Sequence, residues 1–473
     1  MIRFGTDGWR GVIARDFTFQ NLANVTTGVC RHLKETAPKQ NRLTIGFDRR
    51  FLSKEFAQMV ASVAAFEGFQ VAITQSYTPT PVLSYQAKHA DDSAGAIVIT
   101  ASHNPCTYNG FKFKQTFGGS ALQQTTEAFE RAIDQLTDVA VPCASVYQSY
   151  VKQGKIQEVD LMPAYQKTIF DLIDTQAITD AHFQVGVDCM YGSGSTHFRA
   201  ILEALGVTVV EIHAEANPGF GGIAPEPVEK NLKNLSQLVQ EQMLDAGFAT
   251  DGDGDRLGAI DHQGRAFTTQ MILSCVYWHM LKNKGKAWNI ARSVSTTKMV
   301  DLLAEKYGQT CIETPVGFKF IAEKMVEGAA HIGGEESGGV GIETYIPERD
   351  GIFTALMLLE MMAVEKKPLA DIYQDLCDTI RPYQFLRVDL KVPADTMQKA
   401  MAALKENPPQ AWGGRKLERL QTIDGFKFYL EDGSWVLIRP SGTEPVFRLY
   451  AEAEDLEACR ALTQEAEAFV RQA

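Results

Sequence analysis

No two of the eight cysteines are spaced as Cys-x-x-Cys. Their wide scatter argues against a zinc site or a disulfide framework and fits isolated thiols in a reducing compartment. Apolar runs of bilayer length are also missing. The stretch from Ala355 to Val364 is short and interrupted by Glu360, so no membrane segment is expected. The opening residues MIRFGTDGWRG contain no apolar signal core, which adds a cytoplasmic location to the expectation. Basic residues are the minority, 46 Lys and Arg against 58 Asp and Glu, for a net charge of −12. Such a chain is a poor general polyanion binder, so no nucleic-acid partner is expected. A small anion needs only a local basic cluster. There is no Walker A motif and no Gly-x-Ser-x-Gly elbow, and Gly192-Ser-Gly-Ser-Thr196 lacks the third glycine of a dinucleotide fingerprint.

What remains is an ordinary globular composition, 45% apolar and 22% charged over 473 residues, which predicts three or four domains. Leu43–Phe47, Phe69–Ile73 and Gly95–Ile99 read as buried strands. A helix with apolar Phe56, Met59, Val60 and Val63 spans Ser53 to Phe66, and Pro81 opens another. Strands separated by helices imply β-α-β units. The pattern returns with strands at 183–188, 207–212 and 247–250, and again after a turn at 261–264, where a helix runs from about Thr269 to Leu281. Ile45-Gly-Phe-Asp48 and Val185-Gly-Val-Asp188 look like equivalent strand ends. The tail differs: strands at 385–392, 426–430, 435–438 and 446–453 precede a terminal helix. The expected fold is three similar mixed α/β domains plus a C-terminal α+β domain, with divisions at 1–147, 148–258, 259–378 and 379–473.

Four segments carry chemistry. Thr100-Ala-Ser-His-Asn-Pro105 follows a strand end, where α/β sheets place ligands. Ser102 there suits a nucleophile or phosphate carrier, although the same residues also build plain turns. Asp251-Gly-Asp-Gly-Asp-Arg256 sets three carboxylates on one side of an extended chain, with glycines that let it curl around an ion. Oxygen ligands at this density suit a hard cation, Mg²⁺ or Mn²⁺. An EF-hand is excluded, because its sixth and twelfth positions hold Arg256 and His262 rather than Gly and Glu. Gly333 to Gly339 offers Glu335, Glu336 and Ser337, groups that bind sugar hydroxyls. Arg439-Pro-Ser-Gly-Thr443 combines a cation, two hydroxyls and exposed backbone N–H groups, the inventory of a phosphate cradle.

Together with Phe4-Gly-Thr-Asp-Gly-Trp-Arg-Gly11, these segments in this order resemble the α-D-phosphohexomutase superfamily, the phosphoglucomutase/phosphomannomutase enzymes. The resemblance implies four domains around a central cleft and a phosphorylated Ser102. It implies Mg²⁺ held by Asp251, Asp253, Asp255 and a phosphate oxygen on Ser102. It places Lys112 as general acid/base, with a lowered pKa, and Arg10 and His103 near the transferring phosphoryl group. Arg256, Gly317, Phe318, Glu335 and Ser337 fall on substrate-binding positions, and Arg439, Ser441, Gly442 and Thr443 on the phosphate cradle. The implied reaction interconverts hexose 1- and 6-phosphates through a bisphosphate, glucose 1,6-bisphosphate for a glucose enzyme, in a monomer or homodimer.

Two positions lean toward glucose. Phe318 stands where dual mannose/glucose enzymes carry His, and Gly339 replaces a second His. A glucose-1,6-bisphosphate synthase using a separate phosphoryl donor is the alternative within the fold. A non-catalytic phosphosugar-binding protein is the alternative outside it.

Overall fold

The computed structural model describes residues 2–441 and 446–472. Its first sheet holds β1 (Trp9–Val12), β2 (Arg42–Phe47), β3 (Gln70–Thr74), β4 (Ser93–Ile99), β5 (Tyr108–Lys114) and β6 (Ile156–Val159), ordered β1-β5-β4-β2-β3-β6. The second holds β7 (Gln184–Asp188), β8 (Thr208–Ile212), β9 (Ala246–Thr250), β10 (Leu257–Asp261) and β11 (Ala266–Phe267), ordered β11-β10-β9-β7-β8. The third holds β12 (Ile290–Ser293), β13 (Cys311–Thr314), β14 (Ile332–Gly334), β15 (Val340–Ile342) and β16 (Ile346–Arg349), ordered β13-β12-β14-β15-β16.

One unit recurs in all three. A first strand is flanked by its second and third, both parallel to it, and the fourth returns antiparallel beside the third. The first strands are β2, β7 and β12, so the likeness of Ile45–Asp48 to Val185–Asp188 is a topological equivalence. Buried strands and helix faces such as Phe56, Val60 and Val63 form the cores. Helices at Ser53–Phe66 and Thr269–Lys282 stand where periodicity predicts them. Two edge strands reach past the expected divisions: β6 lies beyond residue 147 yet pairs with β3, and β11 lies beyond 258 yet pairs with β10. Edge pairing depends on spatial neighbours, which local pattern does not encode.

The C-terminal sheet runs β17 (Gln384–Lys391), β18 (Ala411–Trp412), β19 (Arg415–Gln421), β20 (Phe426–Leu430), β21 (Trp435–Pro440) and β22 (Val446–Ala453), ordered β17-β22-β21-β20-β19-β18. All its pairings are antiparallel, and the helix Leu456–Gln472 packs on it. It docks on the third unit through Lys427, whose Nζ donates to the Val294 carbonyl at 2.7 Å and to Glu313 at 2.9 Å. No helix among the described residues is long and apolar enough to cross a membrane.

Candidate active site

The recurring unit puts its third-to-fourth strand connection in the same place three times. Those connections are residues 100–107, 251–256 and 335–339, three of the four segments singled out for chemistry. They touch one another. The Ser102 hydroxyl donates to Asp251 at 2.7 Å, and Leu257 N, at the end of the second connection, donates to the Gly338 carbonyl at 3.0 Å.

The loop at 100–107 is held from beneath by Arg50. Its guanidinium donates to the carbonyls of Ser102, Asn104, Pro105 and Tyr108 at 2.6–3.1 Å. Asp48 pairs with Arg50 at 3.0 Å and accepts the Thr100 hydroxyl at 2.6 Å. Ser102 adopts φ +52°, a left-handed conformation that costs a side-chain-bearing residue free energy. Its amide donates to Thr100 Oγ1, and its hydroxyl donates to Asp251 Oδ2 at 2.7 Å. His103 Nδ1 lies 3.4 Å from the same hydroxyl. Burial, then Arg256 and Arg10, push the His103 pKa far down, so the imidazole is neutral.

Asp251, Asp253 and Asp255 are fully buried, with ligand-capable oxygens within 4.8 Å of one another. Asp253 Oδ1 and Asp255 Oδ1 have no hydrogen-bond partner. Leaving two buried carboxylate oxygens bare is costly, and a divalent cation would satisfy both. Burial and its two neighbours raise the Asp251 pKa. The donor set therefore fits Mg²⁺ or Mn²⁺.

Lys112 lies on β5, paired with Val98, and its Nζ reaches Asp7 at 2.6 Å, Asp253 at 2.8 Å and Asp255 at 3.3 Å. Burial lowers its pKa, but the carboxylates outweigh burial and hold it well above the ordinary lysine value. The lowered pKa expected from sequence is thus not found. That expectation weighed Arg10 and a metal but left out Asp7 and the direct reach to the aspartates. The lysine takes the Oδ2 oxygens of Asp253 and Asp255, which leaves their Oδ1 oxygens for a cation.

Above this buried cluster opens a cleft of about 330 Å³, a phosphosugar-sized space. Arg10, His103, Arg256, Gly317, Phe318, Glu335, Ser337 and Arg439 all line it. Ser102, Lys112 and the three aspartates form the buried cluster beside Arg10 and His103. Arg10 donates to Asn104 Oδ1 at 2.6 Å, and Arg256 to Glu226 at 3.2 Å. The Ser337 hydroxyl donates to Glu335 at 2.8 Å, and burial raises the Glu335 pKa. Arg439 pairs with Asp424 at 2.9 Å. Ser441 is tied to Val446 through its amide, whereas Gly442 and Thr443 lie outside the described residues.

Sequence reasoning missed several lining groups: Asp7, Lys319, Arg349, Arg387 and Arg448. Arg439 and Arg448 face each other across β21 and β22. Asp7 lies inside the Phe4–Gly11 signature, the one available signal. With Arg10, Arg256 and Arg439, these cations outnumber the lining carboxylates Asp7, Glu226, Glu335 and Glu336. An acidic protein thus carries a locally basic cleft, suited to a small anion.

Four family models match the chain in order: phosphoglucomutase/phosphomannomutase alpha/beta/alpha domain I over residues 1–140, domain II over 163–264, domain III over 269–380, and the C-terminal domain over 386–468. A phosphoglucomutase/phosphomannomutase of Thermococcus kodakarensis is 30% identical over 97% of this chain and 96% of its own length. A phosphoglucosamine mutase of Methanocaldococcus jannaschii is 30% identical over 92% of this chain and 93% of its own. The solved structure of a Thermus thermophilus protein, provisionally named a phosphomannomutase, superposes with a TM-score of 0.87 at 33% identity, covering 99% of both chains.

Proposed function

The chain belongs to the phosphoglucomutase/phosphomannomutase family, and from that premise we propose a phosphohexomutase that interconverts glucose 1-phosphate and glucose 6-phosphate through phosphorylated Ser102. One observation carries the reading: the Ser102 hydroxyl is 2.7 Å from Asp251, inside a buried triad of aspartates that also holds Lys112. A pure binding protein has no use for a buried nucleophile on a cation site.

In this reading a sugar hydroxyl oxygen attacks the phosphorus on Ser102, the P–Oγ bond breaks, and serine leaves as the alkoxide. Phosphoryl transfer rests on positioning and charge neutralisation more than on covalent manipulation. Arg10 and Arg256 offset charge on the phosphoryl oxygens, and the neutral His103 offers a hydrogen bond beside Ser102. A Mg²⁺ on Asp251, Asp253 and Asp255 would supply further charge neutralisation. Lys112, held as the ammonium, gives a proton to the departing Ser102 oxygen and takes up the one that the sugar hydroxyl releases. Glu335 and Ser337 hold sugar hydroxyls, and Arg439 with Ser441, Gly442 and Thr443 holds the idle phosphate. After the first transfer the bisphosphate turns over and returns its other phosphate to Ser102.

The relatives' names span glucose, mannose and glucosamine, so the sugar rests on Phe318 and Gly339. The test is turnover of glucose 1-phosphate with and without catalytic glucose 1,6-bisphosphate, beside a mass measurement on Ser102. Bisphosphate-stimulated isomerisation, a phosphate on Ser102, and loss of several orders of magnitude in Ser102→Ala are expected. A tenth of the activity surviving in Ser102→Ala refutes the assignment. Accumulation of bisphosphate from a separate donor favours the synthase.

A further inference from the structure

Arg349, at the end of β16, belongs to none of the four chemical segments, yet it touches three of the groups assigned to the site. Its NH2 donates to Asp255 Oδ2 at 2.7 Å and to Asp7 Oδ2 at 3.1 Å. Its NH1 donates to Glu335 Oε1 at 3.0 Å, the oxygen that also accepts the Ser337 hydroxyl. The guanidinium lies over the Phe318 ring, 5.6 Å from its centre. The side chain is 6% exposed.

Position 339 explains how it fits. A Cβ on Gly339 would stand 2.5 Å from Arg349 Cγ and closer still to Cδ. The volume that a side chain at 339 would need is already filled by the stem of Arg349. Lysine would be no equivalent, because one ammonium lacks the fork that serves two carboxylates on separate loops.

We infer that Arg349 is a positioning residue that fixes the sugar loop against the cation loop, and that glycine stands at 339 to admit it. The arginine aims Glu335 into the cleft by holding one of its oxygens. At Asp255 the same positive charge stands beside the proposed cation ligands and opposes a second cation there. Glu335 as a sugar ligand rests on the mutase reading; the contacts with Asp255 and Gly339 do not.

The experiment has three arms on the full-length protein. Calorimetric titration of Mn²⁺ alone should show R349M binding the ion at least about threefold more tightly than wild type, because a competing charge is gone. The KM for glucose 1-phosphate should rise about tenfold in R349M, with kcat changed less, as Glu335 loses a charge-assisted hydrogen bond. Gly339→Ala should lower the thermal midpoint in the wild-type background and have little further effect when combined with R349A, which removes the colliding atoms. Mn²⁺ affinity that is unchanged or weaker, an unchanged KM, or an equal cost of Gly339→Ala in both backgrounds overturns the inference. Should R349M not fold, R349K replaces it: one ammonium serves either Asp255 or Glu335, so KM or Mn²⁺ affinity must change, and wild-type values for both overturn the inference. If the wild-type protein isomerises no hexose phosphate, the mutase reading fails, while the Mn²⁺ titration and the stability cycle still decide this one.

Discussion

Gly252→Ala tests whether the serine loop and the cation loop work by contact. Gly252 lies between two of the aspartates, and its amide donates to the Pro225 carbonyl. A Cβ built there would press on the Ser102 carbonyl oxygen, with Pro225 Cγ 3.1 Å away on another side. Ordinary contact begins at 3.4 Å, and the built Cβ falls about 1 Å short of it. The obstruction is backbone, and Arg50 pins that carbonyl at 2.6 Å, so the loop cannot swing aside as a side chain would. The two loops must part by about that amount. The Ser102–Asp251 hydrogen bond, 2.7 Å long, would then pass beyond about 3.5 Å, outside hydrogen-bonding range. A displacement of this size at a reacting centre costs about 100-fold in rate. Overpacking should cost about 1–3 kcal/mol of stability. The assay is kcat for glucose 1-phosphate beside the thermal midpoint. A variant that folds and keeps kcat within about threefold of wild type would refute contact-based positioning.

Chelation should abolish turnover, and Asp253→Asn should raise the Mg²⁺ concentration needed for half activity, since one of three anionic ligands is lost; full activity in excess chelator would make the aspartate loop structural. The ratio of kcat/KM for glucose 1-phosphate over mannose 1-phosphate should be about tenfold or more, about 1.4 kcal/mol, each measured with its own bisphosphate; equal values would remove Phe318 and Gly339 from specificity. A pH effect should come from Asp350, which caps the helix Gly351–Glu365 by accepting the Phe353 amide and also accepts the Tyr165 hydroxyl. Burial pushes its carboxyl up to about 7. The folded state therefore keeps a proton that the unfolded state gives up near pH 4. This favours the fold below pH 4, and the contribution, at most about 4 kcal/mol, is lost as pH rises to 7. Asp350→Asn should flatten that slope in pH-dependent urea unfolding; equal slopes would sink the idea.

Much of the architecture was legible because it is periodic. The helix Ser53–Phe66 was marked by its apolar spacing, and the C-terminal hairpin by Glu431-Asp-Gly433 between two apolar runs. The serine and aspartate loops were legible because unusual residues follow a strand directly. Arg50 was invisible because its partners are carbonyls of the serine loop, which carry no side-chain signature. Arg349 was invisible for a related reason: its partners come from Asp7, Asp255 and Glu335, far apart in the chain. Gly339 was read as a missing imidazole, whereas the structure shows an absence that another residue occupies. Lys112 lies against Asp7, Asp253 and Asp255, and its charge state depends on these carboxylates, which only the fold assembles.

The threefold recurrence of one strand unit governs where this chain tolerates insertion and deletion. Residues 100–107, 251–256 and 335–339 are cross-braced: Leu257 N reaches the Gly338 carbonyl, Gly351 N the Gly254 carbonyl, and Gly252 lies against Ser102. Lengthening any one of them by a residue shifts the other two, so their lengths are under joint constraint. In the first unit the crossover from Phe47 to Gln70 meets the second unit near its start, through Arg49 on the Ala214 carbonyl and Arg50 over the Phe220 ring, and loop closure makes added length at its far end cheap. A library of one-residue insertions should therefore survive at the far end of that crossover, near residues 67–69, and fail at three short stretches that are distant in sequence.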